Sequence, residues 1–170
     1  NEIWIAWLKK ASEISSQTGK FTLLYEDEIN IMANELDKMY PNAFIDENQI
    51  KTGYFIKVNN VSLKYGEHRE GPYYNFKQIL ESVVSCIGSH TPIKSDTHKL
   101  TIYFMDWIEI EKSDEFRVFV FQNKITAISQ QNLYSVVYDS KQCQNQTEFE
   151  SGIIQKLNLV VEYFYSHMVD

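Results

Sequence analysis

Arginine is almost missing from this chain: only Arg69 and Arg117 stand among its 16 basic residues, the rest being lysine. Cysteine is equally sparse. Cys86 and Cys143 lie far apart with no paired spacing, which excludes a disulfide framework and suits two reduced thiols. No apolar run approaches the roughly 18 residues that a membrane-crossing helix needs. The first residues, Asn1-Glu2-Ile3-Trp4, lack the basic stretch and apolar block of an export signal, so the chain reads as a cytoplasmic, unexported protein. Asn145-Gln146-Thr147 matches a glycosylation triplet that is silent in that setting. The four histidines, His68, His90, His98 and His167, show no ligand spacing, which argues against a dedicated zinc site. Net charge is −7, so no general polyanion-binding surface is expected, and wrapping DNA or RNA is not expected as the main role. A glycine-rich phosphate loop, a serine nucleophile elbow and a cysteine–histidine pair are all missing.

What is present suffices for a core. Apolar residues make up 44% of 170 positions, enough for one domain or a sizeable part of a larger protein. Apolar spacing predicts amphipathic helices over 3–14, 28–40, 74–87 and 153–168, with Gly19, Pro41 and Gly88 marking the ends of the first three. Strands are predicted at 21–25, 53–58 and 100–105, followed by a ribbon from Glu115 to Gln130. The connections 59–71 and 89–99 are polar. No internal repeat and no low-complexity tract is found.

The ribbon carries the strongest chemical signal. Glu115-Phe116-Arg117-Val118-Phe119-Val120 alternates with period two, placing Phe116, Val118 and Val120 on a buried face and Glu115, Arg117 and Phe119 on the other. A two-residue loop at Asn123-Lys124 would set Arg117 opposite Gln130 and Glu115 opposite Asn132, gathering a carboxylate, a guanidinium and two amides. Such a cluster suits a ligand. Equally, Glu115 and Arg117 could be a solvated surface pair worth at most about 1 kcal/mol. In a lysine-rich chain a retained arginine hints that bidentate geometry is wanted. Lys57, alone among the apolar residues of 53–58, could hold a polyphosphate as a point charge, or could be a lysine guarding an edge strand. Lys64-Tyr65-Gly66 superficially looks like a nucleotidyl-transfer lysine, without the usual spacing to glycine.

Taken in order, these residues resemble the eukaryotic cell division cycle protein 123 family. The run Trp107-Ile108, then Glu115-Phe116-Arg117-Val118-Phe119-Val120, then Asn123-Lys124 and Ile128-Ser129-Gln130, is similar to that family's tryptophan-containing hinge, Glu-Phe-Arg strand and Ile-Ser-Gln strand. Lys57-Val58-Asn59 with Ser62-Leu63-Lys64 resembles its lysine strand and the loop after it.

The resemblance implies an ATP-grasp-like α+β fold, mainly antiparallel sheets flanked by helices. It also implies two lobes, 1–99 with the lysine strand and polar loop, and 100–170 with the hinge, ribbon and last helix. ATP would lie between them, with Lys57 on the phosphates and Lys64 nearby. The backbone of Met105, Asp106, Trp107 and Ile108 would meet adenine, and Arg117, with Glu115 and Gln130 alongside, would stand near the terminal phosphate. Magnesium would accompany the nucleotide. Its aspartate and asparagine ligands are expected beyond the final helix, where this chain ends at Asp170, so they are not evident here. The family's partner is the gamma subunit of translation initiation factor two, whose assembly it assists. Two other roles fit the same residues: an ATP-dependent carboxylate ligase, and a protein-interaction domain that uses no nucleotide.

Overall fold

The computed structural model describes residues 2–110, 115–122, 124–130 and 146–167. It is an α+β structure of four α-helices and two small antiparallel sheets, dividing into two compact units, Asn1–Ile108 and Glu109–Asp170.

The first unit opens with α1 (Glu2–Ser15) and α2 (Glu26–Met39), both packed on α3 (Phe76–Ser85). The apolar stripe expected on α1 is rotated. Ile3 and Ile14 are exposed, whereas Leu8, Ala11, Ser12 and Ser15 are buried, a seam of mostly small side chains that lets α1 lie close to its neighbours. On α3 all five expected core residues, Phe76, Ile79, Leu80, Val83 and Val84, are buried. Its start is fixed locally: the Asn75 side chain accepts the Gln78 N–H at 2.9 Å, and the Gln78 side chain accepts the Tyr74 N–H at 2.8 Å.

The strand expected at 21–25 is a 3₁₀ turn, Leu23–Tyr25. Leu23 and Leu24 are both exposed, so there is no alternating face to bury. The Thr22 hydroxyl instead accepts the Leu24 N–H and caps the turn.

β1 (Tyr54–Val58) is the middle strand of a three-stranded sheet, with β2 (Val61–Ser62) on one side and β3 (Ile102–Asp106) on the other. Ile56 and Val58 are fully buried against the helices. Phe104 on β3 joins Phe44, Tyr54 and Phe76 in an edge-on aromatic cluster with centroids 5.1–6.1 Å apart.

The polar connection after β2 is tied to α3. The Glu67 and His68 N–H groups donate to the Ser85 and Ser82 hydroxyls, His68 pairs with Glu81, and the buried Tyr73 hydroxyl donates to the Arg69 carbonyl at 2.6 Å. Gly66 is required here, because a Cβ at this position would sit 2.5 Å from the Ser82 carbonyl oxygen.

The second unit contains the hairpin β4 (Phe116–Phe121) and β5 (Lys124–Gln130), and α4 (Gln146–His167), which touches β5. The hairpin forms, but its register differs from the expected one. Phe121 pairs with Lys124, so the turn falls one residue earlier than expected, and Gln122 takes the positive φ of 48° that such a turn demands. The pairing then shifts between Phe119 and Val120, leaving Thr126 as an extra residue whose hydroxyl donates to the Phe119 carbonyl at 3.2 Å. Arg117 consequently faces Ser129, and Gln130 faces Phe116. The expected partner of Glu115, Asn132, lies outside the described residues.

Candidate functional site

The two units carry separate parts of the site expected from the sequence. In the first unit, Lys57 rises from the central strand on the face away from the helices. It pairs with Ser62 of β2 on one side and Tyr103 of β3 on the other; Phe55 pairs with Met105 on the same face. Tyr103 is 51% exposed and Met105 47%. Lys57 is exposed and makes no ion pair among the described residues. Since β1 is a middle strand, guarding an edge is not the function of this lysine. A mobile ammonium on an apolar and aromatic floor can meet an anion whose body rests on that floor.

Lys64 follows β2, and its ammonium lies 5.4 Å from the centre of the Tyr65 ring. Asp106 ends β3 opposite Tyr54, Trp107 is half-buried, and Ile108 is exposed beyond the strand. Met105 thus shares a sheet face with Lys57, while Asp106, Trp107 and Ile108 continue the chain from it.

In the second unit Arg117 projects from β4 on the exposed side with Phe119, and Glu115 precedes the strand, also exposed. Arg117 makes no ion pair among the described residues.

Sequence reasoning missed Tyr103, Phe55 and Ser62 as neighbours of Lys57. The run 100–105 is apolar almost throughout, which hides its two faces. No local signal places Tyr103 beside Lys57, because β1 and β3 pair across more than forty residues.

Among the described residues no group of three or more histidine, cysteine, aspartate or glutamate side chains could hold a metal ion. No helix among them is long and apolar enough to cross a membrane. Of the titratable groups, Cys86 is buried, which pushes its thiol up to about 11 and leaves it inert rather than nucleophilic. Burial also raises Tyr73 well above the usual phenol range. For Glu67, burial alone would raise the carboxyl, but hydrogen bonds from the Phe21 N–H and Lys20, with the attraction of Lys20 and His68, outweigh it and hold it below the ordinary value.

Comparison with protein families matches the D123 model over residues 75–167, more than half of the chain. The protein belongs to the D123 family. The membership agrees with the resemblance to cell division cycle protein 123 seen in the sequence. The D123 span takes in α3, β3, the hairpin and α4. It therefore includes the 105–108 segment, Glu115, Arg117 and Gln130, whereas Lys57 and Lys64 precede it. No curated protein and no solved structure matches the chain.

Proposed function

We propose that this D123 protein is a cytoplasmic, ATP-binding assembly factor of the ATP-grasp type, acting on the gamma subunit of translation initiation factor two. The supporting observation is the outward face of the first sheet, where the exposed Lys57, without an ion pair among the described residues, is flanked across the sheet by Ser62 and Tyr103 and shares its face with Phe55 and Met105. An exposed lysine on a central strand contributes nothing to the core, and its stem crosses apolar surface, so an anionic ligand gives it a physical purpose.

In this reading Lys57 neutralises phosphate oxygens and the backbone of Met105 to Ile108 meets the adenine edge. Arg117 holds the terminal phosphate through its fork, with Glu115, Gln130 and Lys64 as further contacts. ATP would supply binding energy that orders the protein for its partner, and magnesium would neutralise phosphate charge when bound. The described residues contain no cluster to hold the metal.

Mixing the purified chain with the isolated gamma subunit, with and without ATP, tests the role. A complex is expected that tightens with ATP and weakens for Lys57→Ala. Failure to form any complex in either condition would remove the assembly role.

A further inference from the structure

One opening in the first unit is unrelated to Lys57. It is an apolar groove of about 760 Å³ whose wall includes Leu36 at the end of α2, Tyr40, Ala43, Phe76 at the start of α3, and Ile102 and Phe104 of β3. Ile102 and Phe104 alternate with Tyr103, so the groove and Lys57 lie on opposite faces of the sheet. Its volume falls within the range of ligand-binding clefts, roughly 300–1,000 Å³. Lys99 is the only charged side chain in its lining, exposed and without an ion pair among the described residues.

The groove runs along a strand edge that pairs with no other strand among the described residues. β3 is the outer strand of the order β2-β1-β3, and no β1 residue lines the groove. The Asn59 N–H donates to the Thr101 carbonyl at 2.8 Å, which makes Asn59–Thr101 a hydrogen-bonded pair. Antiparallel pairing alternates, so Tyr103 and Met105 also turn their backbone groups toward β1. Ile102 and Phe104 turn theirs the other way, toward the free edge. The same two residues thus contribute side chains to the apolar wall and backbone donors and acceptors to the rim.

From this we infer a docking site for an extended peptide segment of a partner protein, added as a strand beside β3. Main-chain hydrogen bonds to Ile102 and Phe104 hold it, and every second side chain drops into the groove. The segment alternates apolar with polar residues and carries an aspartate or glutamate where it passes Lys99. An extended chain is favoured over a helix because a helix satisfies its own backbone and would leave the edge of β3 unmatched. The inference does not rest on nucleotide binding, which uses the opposite face.

The test is selection of a phage-displayed library of short random peptides on the intact chain, followed by fluorescence anisotropy with the enriched peptides. Expected are sequences of alternating apolar residues with one acidic residue. Their affinity should fall tenfold or more for Lys99→Glu, for Ala43→Phe, which fills the groove, and for peptides N-methylated at alternate amides. Lys10→Glu, an equal change of charge on α1, should leave binding unchanged. Because Lys99 is exposed and N-methylation alters only the peptide, two of these readouts survive any misfolding of the Ala43 variant. Absence of enrichment, or affinities indifferent to both Lys99→Glu and N-methylation, would overturn the proposal. So would light scattering that shows a dimer lost in Ala43→Phe, since the occupant would then be a second copy of the chain.

Discussion

Lys57 and Tyr103 stand directly opposite each other on the exposed face of the first sheet, one on its central strand and one on its edge. A lysine paired across the sheet with Tyr103 on one side and Ser62 on the other is a surface arrangement that costs the core nothing to change. Lys57→Ala is therefore expected to alter folding stability by no more than about 0.5 kcal/mol, the range of surface substitutions. Urea unfolding followed by circular dichroism checks this, and a large loss would mean that the lysine serves the fold.

Gly66 is the opposite case. Its backbone approaches α3 so closely that a methyl group would collide with the Ser82 carbonyl, which cannot swing aside like a side-chain tip. Gly66→Ala should destabilise the chain by about 1–3 kcal/mol, as overpacking does in tight interiors. The expected signature is a lower urea midpoint with unchanged slope.

Glu67 links stability to pH. Its folded pKa is depressed, so its stabilising contribution is present above the ordinary carboxylate pKa and is lost as pH falls through the folded value. Melting of the wild type should exceed that of Glu67→Gln near pH 7, and the gap should close as pH falls below the depressed folded pKa. A gap that persisted in acid would assign the effect to packing.

Cys86 is fully buried and its thiol is raised to about 11 by that burial. In the folded chain it should resist iodoacetamide at about pH 8, where an exposed thiol reacts readily, and become modified in denaturant. Peptide mapping by mass spectrometry reads this directly.

The helices were legible in the sequence because their apolar residues recur at helical spacing, most clearly on α3, where every expected core residue is buried. Strands 53–58 and 100–105 were legible as apolar runs. The order β2-β1-β3 was not, because it depends on pairing across more than forty residues between Val58 and Ile102. The 21–25 segment misled because Phe21, Leu23 and Leu24 look like a strand until the Thr22 cap is seen. The ribbon was right in kind and wrong in register by one position near its open end. A bulge at Thr126 cannot be read from alternation, and one residue of slip moves Gln130 from Arg117 to Phe116. Of the candidate site, Lys57 was visible as a lone cation in a strand, and the 105–108 segment only through the family resemblance. Tyr103 and the groove emerged only when the faces of β3 were distinguished.

Trp107 reports on the 105–108 segment, being half-buried just beyond β3. ATP should change the tryptophan emission of the wild type, and Trp107→Phe should abolish most of that change while Trp4 and Trp7 remain. Emission that responds equally in the variant would place the nucleotide elsewhere.

The most direct measurement is calorimetric titration of the chain with ATP and magnesium, repeated on Lys57→Ala and Arg117→Ala. The account predicts measurable affinity in the wild type and a loss of tenfold or more in each variant, about 1.4 kcal/mol or above. Equal affinity in all three proteins, or none in the wild type, would contradict it.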